Sequence, residues 1–245
     1  MKCLSKPCDY LANSSIKIDK GLYCCKICKQ FDGLGHGSLC EKKFLKTNYC
    51  KIIEPSDENK TNVLMLVAHP DDEALFGFSD LLNNNNCTVL CLTNLENHIR
   101  RTEFFKSMEI TNSKGYMLNY PDIKNDKYYY WGIFDTEHFV KSILNVIDFN
   151  YKFDIVVSHG EDGESQHHHH IKIHHVAKHI ASLMNLPFYD FRSRFDNTFY
   201  TDPELNKKYE SLIACYTSQP SAINGMKYFF SGKSVFETTR ASRVV

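Results

Sequence analysis

From residue 62 onward, short apolar segments alternate along the chain with segments of helical periodicity. The apolar segments predict strands at 62–69, 87–93, 116–120, 153–158 and 187–191. The intervening segments predict helices at 72–83, 98–112, 135–148 and 169–184. Strands and helices in regular alternation are joined by right-handed crossovers, so the pattern predicts an α/β fold: a Rossmann-like, mostly parallel sheet with helices on both faces. Binding sites in such sheets form beyond the carboxyl ends of the strands.

Cysteines separate the first 50 residues from the rest of the chain, since seven of the ten lie there. This bias predicts two domains, a small Cys-rich module at residues 1–53 and a larger α/β domain at residues 60–245. So small a module needs a disulfide or metal staple, because its apolar core is small. The spacing C-x2-C-x7-H-x3-C suits a structural zinc site at Cys25, Cys28, His36 and Cys40, and disulfides among the N-terminal cysteines are the alternative.

Charge and hydropathy narrow the classes of partner and location. The 29 basic and 29 acidic residues give a formal net charge of zero, which disfavours a nucleic acid as partner. The first residues, MKCLSKPCDY, lack the apolar core of a signal peptide, and no segment approaches the roughly 20 apolar residues of a membrane span. We therefore expect a soluble, cytoplasmic protein without a transmembrane segment.

Two polar clusters follow predicted strands and therefore lie at the same edge of the predicted sheet. The first is AHPDDE, and the second is SHGEDGESQHHHHIKIHH. For either cluster alone, a solvated loop or acids that complement a helix dipole would be sufficient explanation. Together they favour a metal site, because zinc binds imidazole and carboxylate, and a catalytic site keeps one position open for water. His69 and Asp72 would supply two ligands and a histidine of the second cluster the third, which leaves Asp71 beside the bound water.

The second cluster contains more histidines than one ion can bind. Eight of the twelve histidines lie between His159 and His179, so only some of them can be ligands. On a helix, His167, His170 and His174 share one face through spacings of three and four. We expect the surplus histidines to lie at the surface, namely His168, His169, His175 and His179.

These motifs resemble the LmbE/PIG-L superfamily of zinc-dependent N-acetylglucosaminyl de-N-acetylases. The resemblance rests on AHPDDE after a buried strand and on a later H-G-x-x-G-E-x-x-H-x-x-H, and it spans roughly residues 62–220. Further similarities are Arg100 with Glu103, Asp122 in LNYPD, the segment FDTEHFVKSIL, and CYTSQ at residues 215–219. The family usually has Gly-His-Pro-x-His where this chain has Gln166 followed by four histidines, so a slip of one histidine would change the assignments.

The resemblance implies a role for each site residue. His69, Asp72 and His170 would bind zinc, Asp71 would be the general base, and His167 would stabilise the oxyanion or protonate the leaving amine. Arg100 and Asp122 would contact the sugar. The chemistry agrees with these roles, because zinc lowers the pKa of bound water toward about 7 and a nearby carboxylate can take its proton. The predicted function is hydrolysis of the N-acetyl group of an N-acetylglucosamine-type sugar or glycoconjugate.

Two other classes of protein are alternatives to this hydrolase. A carbohydrate-binding protein of the same fold, catalytically silent, would keep the pocket, but binding alone does not need the carboxylate of Asp71. A nucleotide-binding Rossmann domain needs a glycine-rich turn after its first strand, and HPDDEA has no glycine there. The zinc hydrolase is therefore the favoured hypothesis.

Overall fold

The computed structural model describes residues 60–83, 85–124, 127–147, 152–192 and 202–224. The predicted Cys-rich module lies outside these residues, and so do Cys25, Cys28, His36 and Cys40. The module, its staple and the two-domain division therefore stay predictions. No helix within the described ranges is long and apolar enough to cross a membrane.

Within the described residues, seven strands form a five-stranded sheet and a separate hairpin. In chain order they are β1 (Asn62–Val67), β2 (Asn86–Thr93), β3 (Lys114–Tyr120), β4 (Ile123–Lys124), β5 (Lys127–Tyr128), β6 (Ile155–Ser158) and β7 (Phe188–Asp190). The large sheet has the order β3-β2-β1-β6-β7, and its neighbouring strands are all parallel. Strands β4 and β5 form an antiparallel hairpin. The prediction of a mostly parallel α/β sheet is confirmed.

Seven α-helices accompany the strands over the described ranges. They are α1 (Asp72–Leu75), α2 (Phe78–Leu82), α3 (His98–Thr111), α4 (Thr136–Leu144), α5 (Gly163–Gln166), α6 (His168–Met184) and α7 (Pro203–Ile213). A short 3-10 helix spans Trp131–Ile133. The single helix predicted at 72–83 is wrong in detail, because the chain breaks between α1 and α2. Gly77 lies at this break, where a Cβ atom would stand 2.7 Å from the end of the Met65 side chain.

Helices cover both faces of the sheet. Along β1, Val63, Met65 and Val67 pack into one core with α2, α3 and α7. The alternate residues Leu64 and Leu66 pack into a second core with α4 and α6. All of these strand side chains are fully buried, which explains why β1 reads as a continuous apolar run.

The order of the strands determines where a site can form. The chain leaves β1 for β2 on one side, while β6 lies on the other side of β1. The strand order therefore reverses between β1 and β6, and ligands in open α/β sheets bind outside the carboxyl ends of the strands at such a point. Both polar clusters begin there, one after each of these two strands.

Candidate metal centre

The first cluster begins with a strained turn at the end of β1. Asp71 has a φ of 130°, a backbone conformation that residues other than glycine rarely adopt and that costs about 1–3 kcal/mol. Its carbonyl accepts hydrogen bonds from the amides of Ala74 and Leu75, at 2.9 and 2.8 Å, and so begins α1. The turn directs adjacent carboxylates into different surroundings.

The three predicted ligands converge at the switch point between β1 and β6. His69 Nδ1 lies 3.3 Å from His170 Nε2. The two carboxylate oxygens of Asp72 lie 3.4 Å from these nitrogens, Oδ2 from His69 Nδ1 and Oδ1 from His170 Nε2. Ligand atoms about 2.0–2.2 Å from a tetrahedral zinc ion lie roughly 3.3–3.6 Å apart, so this spacing fits zinc. All three side chains are buried.

Glu164 contacts the ring nitrogen of His170 that faces away from the other predicted ligands. Its Oε2 lies 2.8 Å from His170 Nδ1 and 2.9 Å from His159 Nδ1, and its Oε1 accepts a hydrogen bond from the amide of Gly160. Because an ionised carboxylate only accepts hydrogen bonds, His170 donates through Nδ1 and keeps a lone pair on Nε2. Burial alone would raise the pKa of Glu164, but His159 and His170 outweigh burial and hold that pKa below its ordinary value.

His159 is fully buried beneath the predicted ligands. Its ring stacks on the ring of His170 with centroids 3.9 Å apart, and its Nε2 lies 3.3 Å from Asp72 Oδ2. His159 and Glu164 were not among the predicted site residues. Their signal was present, since both are fixed letters of the second motif, H-G-x-x-G-E.

Asp122 lies behind His69. Its Oδ1 is 3.4 Å from His69 Nε2, and its Oδ2 accepts a hydrogen bond of 2.9 Å from Asn94. Burial would raise the pKa of Asp122, but these two neighbours lower it to about 2. Asp122 was predicted to contact the sugar, whereas the structure places its side chain beside a predicted ligand and an asparagine.

His169 does not lie at the surface as predicted. The side chain is fully buried, and its ring stacks on Trp131 with centroids 3.9 Å apart. The prediction was wrong because helical spacing does not reveal the 3-10 helix that packs against the first turn of α6. The other three surplus histidines are exposed as expected, namely His168, His175 and His179.

Asp71 faces Arg100 from α3. Its Oδ1 lies 3.3 Å from Nη2 and its Oδ2 lies 3.5 Å from Nη1, and the guanidinium also donates to the carbonyl of Pro70. Burial raises the pKa of Asp71 to about 7, although Arg100 opposes the rise. Arg100 itself is 7% exposed, so the structure brings this predicted sugar contact onto the carboxylate of Asp71.

Glu73, the third acid of the first cluster, has its own partners. Its carboxylate accepts hydrogen bonds from Ser107 Oγ at 2.7 Å, from the Tyr216 hydroxyl and from the amide of Asp71 at 3.1 Å. The side chain is fully buried, and burial raises its pKa. The first cluster is thus tied to α3 and to the segment after α7.

His167 caps α6 and directs one free nitrogen into the site. Its Nδ1 accepts a hydrogen bond of 3.2 Å from the amide of His169, so the neutral ring carries its proton on Nε2. That Nε2 is buried and meets no hydrogen-bond partner among the residues described. Burial and the neighbouring histidines lower the pKa of His167 to about 3, which keeps the ring neutral.

Comparison with known proteins relates this site to a family. Residues 64–181 match the sequence profile of the family described as PIG-L: GlcNAc-PI de-N-acetylase. An uncharacterized protein of Acanthamoeba polyphaga mimivirus is 28% identical over 180 residues, which cover 66% of this chain and 72% of that protein. Among solved structures, the N,N'-diacetylchitobiose deacetylase from Pyrococcus horikoshii shares 16% identity at a TM-score of 0.48, covering 70% of this chain and 76% of that one. Both polar clusters lie inside the range that the family profile matches.

Proposed function

Because residues 64–181 match the profile of the PIG-L family, we propose that the protein is a zinc-dependent hydrolase that removes the N-acetyl group from an N-acetylglucosamine-type sugar or sugar conjugate. One observation carries the proposal. The buried side chains of His69, Asp72 and His170 meet at the switch point of the sheet: the two ring nitrogens lie 3.3 Å apart, and each lies 3.4 Å from a different carboxylate oxygen of Asp72.

The donor set supports zinc as the metal. His69, Asp72 and His170 would hold the ion with two imidazoles and one carboxylate, a combination found in catalytic zinc sites. When bound, zinc would polarise the acetamide carbonyl and activate a water molecule. Glu164 supports His170 in the manner of an outer-shell carboxylate, which fixes the ring and raises its basicity.

Asp71 is proposed as the general base. It is the strained residue of the turn, next to the proposed ligand Asp72, and Arg100 contacts both of its carboxylate oxygens. A base is most effective when its pKa lies near the working pH, and burial raises the pKa of Asp71 to about 7. As the water oxygen attacks the acetamide carbon, Asp71 takes the water proton. When the C–N bond breaks, Asp71 returns that proton to the amine, and the products are acetate and a free amine.

His167 is proposed to stabilise the oxyanion. Its Nε2–H is buried, has no partner within the described part of the chain, and belongs to a ring whose centroid is 4.8 Å from that of His69. A buried donor without a hydrogen-bond partner can stabilise the charge that develops on the carbonyl oxygen, because no existing hydrogen bond has to be broken first. Of the two roles predicted for His167, this one suits the neutral ring better than protonation of the amine.

The hairpin of β4 and β5 is proposed to contribute to the sugar site. Tyr128 is 58% exposed, and its ring centroid lies 4.2 Å from that of His167. An accessible aromatic ring beside the reacting groups offers an apolar wall to a sugar. Sugar contacts by Arg100 and Asp122 remain part of the proposal.

A substrate screen tests the proposed function. Acetate release by the full chain would be measured with free, UDP-linked, lipid-linked and oligomeric N-acetylglucosamine. We expect release from at least one of these substrates, loss of release after chelation, and recovery after zinc is added. If zinc-loaded protein released no acetate from any of them, the proposed function would be wrong.

A further inference from the structure

We propose that His169 is a positioning residue that fixes which ring nitrogen of His69 faces the metal centre. The inference rests on the proposed function, because it assumes that His69 is a ligand. His169 was predicted to lie at the surface but is fully buried.

The protonation of His169 follows from its contact with the backbone. His169 Nε2 lies 2.6 Å from the carbonyl oxygen of Tyr129. A carbonyl can only accept a hydrogen bond, so Nε2 carries the proton. In the neutral ring, Nδ1 is then left with a lone pair and can only accept.

This acceptor determines the tautomer of His69. His169 Nδ1 lies 2.9 Å from His69 Nε2, so His69 donates its Nε2 proton to His169. In the neutral ring that a metal ligand requires, the lone pair of His69 then resides on Nδ1, the nitrogen that lies 3.4 Å from Asp72 and 3.3 Å from His170. A directed relay therefore runs from His69 through His169 to the Tyr129 carbonyl, and it leaves the metal-facing nitrogen unprotonated.

Packing holds the relay in place. The ring of His169 stacks on Trp131 with an angle of 16° between the planes. Trp131 is itself fixed, because its Nε1–H donates a hydrogen bond of 2.7 Å to the carbonyl of Pro121. Asp122 Oδ1 also lies 3.4 Å from His69 Nε2, but it accepts no hydrogen bond there, whereas His169 Nδ1 lies at 2.9 Å.

The two predicted histidine ligands thus have outer partners of different chemistry. Glu164, a carboxylate, accepts from His170, whereas a neutral imidazole is the nearest acceptor for His69. Outer-shell partners of metal ligands contribute to metal affinity because they fix the tautomer and the orientation of the ligand ring. His169 should therefore affect zinc affinity without touching the ion.

Two near-isosteric substitutions distinguish the hydrogen-bonding role of His169 from its contribution to packing. In His169→Asn, the amide oxygen stands close to the original position of Nδ1 and can still accept from His69. In His169→Gln, the amide stands near Nε2 and can contact only Tyr129. Both variants lose the stack on Trp131, so they differ mainly in the acceptor for His69.

The zinc dissociation constant of each full-chain variant would be measured by competition with a chelator. We expect His169→Asn to stay near the wild type, within about threefold, and His169→Gln to bind zinc roughly 10–100-fold more weakly. His168→Ala, at an exposed position of the same helix, is the control and should bind like the wild type. All variants keep the N-terminal cysteines, so differences between them report on this site.

NMR of zinc-loaded protein labelled with 15N histidine gives a second readout, the coordinating nitrogen. We expect zinc on Nδ1 of His69 and on Nε2 of His170. Three results would each overturn the role of His169 and leave the proposed function intact. They are equal losses of zinc affinity in His169→Asn and His169→Gln, unchanged zinc affinity in His169→Gln, and zinc coordination through His69 Nε2. If the wild type had no zinc site that depends on His170, the proposed function would fail and the role of His169 with it.

Discussion

At the residue scale, the acids of the first cluster face three different environments. Asp71 pairs with Arg100, Asp72 lies between two histidines, and Glu73 accepts hydrogen bonds from Ser107 and Tyr216. Acids that merely complemented the dipole of α1 would have no need of separate buried partners. The adjacent pair of aspartates therefore supports a division of labour between base and ligand.

Substitution of each aspartate by asparagine tests that division. Asp71→Asn should retain zinc and lose about 100-fold to 10,000-fold in rate, because an amide cannot take the water proton. Asp72→Asn removes a charged ligand, so zinc affinity should fall first and activity should recover partly in excess metal. Zinc stoichiometry, melting temperature and acetate release would be measured for both variants. Near-normal turnover in Asp71→Asn would rule out the base.

The role of His167 can be tested without disturbing the cap of α6. His167→Asn keeps a good capping residue and removes the free Nε2–H. We expect an unchanged melting temperature, unchanged zinc affinity and a rate lower by about 100-fold to 1,000-fold, as for loss of an oxyanion donor. Loss of zinc would instead make His167 a ligand, a role that its position near His69 and His170 would permit.

The predicted ligands were easier to identify from the sequence than the residues that hydrogen-bond to them or pack against them. His69 and Asp72 follow a fully apolar strand, so their position at the sheet edge was predictable. Within the run of four histidines, the roles depend on the position of the cap at His167 and on a ring stack with Trp131. Those contacts are tertiary, and neither helical spacing nor residue type reveals them.

At the scale of elements, the loop between β6 and α6 positions Glu164 and His170 of the second cluster. Gly163 has a φ of +61°, and a Cβ there would lie 2.8 Å from the side chain of Ile171 and 3.3 Å from Cβ of His170. Glu164, next in the chain, also has a positive φ. A side chain at Gly163 would therefore have to displace Ile171 or His170.

A pair of glycine substitutions tests the importance of this loop. Gly163→Ala should lower the free energy of unfolding by about 1–2 kcal/mol or more through backbone strain, and should weaken zinc binding. Gly160→Ala is the matched control, because the nearest atom to its Cβ would be a side-chain oxygen of Asp162 at 3.1 Å. Thermal unfolding and zinc affinity would be measured for both. Equal effects of the two substitutions would argue against a special constraint at Gly163.

Elements with strong apolar periodicity were predicted well, and those that depend on tertiary contacts were not. All five strands of the large sheet were predicted to within a few residues. The break between α1 and α2 was missed; Gly77 lies at it and approaches Met65 on β1, a tertiary contact that helical periodicity does not reveal. Helix α7 was missed although Asp202 caps it and Pro203 begins it, since its apolar face pairs with α2 and α3 only in the folded chain.

At the scale of the whole molecule, the predicted ligands all come from the α/β domain. Deletion of residues 1–53 should therefore leave hydrolysis of small substrates largely intact. Acetate release and melting temperature of the shortened protein would be compared with those of the full chain. A folded but inactive product would show that the predicted boundary is wrong.

Thiol titration distinguishes the two staples predicted for the N-terminal module. Zinc-bound cysteines should become reactive after denaturation with a chelator, whereas disulfides should stay unreactive until they are reduced. The comparison of native and denatured full-chain protein decides between them. A full set of reactive thiols in the native protein would contradict both.

The most direct test of the account is the dependence of acetate release on zinc in metal-free protein, with a substrate found in the screen. In the wild type and in His168→Ala, activity should return as zinc is added, because His168 is exposed and no predicted ligand is lost. In His170→Ala, the same additions should restore little activity. Full activity of the wild type without metal, or equal recovery in His170→Ala, would contradict a hydrolase whose metal is held by His69, Asp72 and His170.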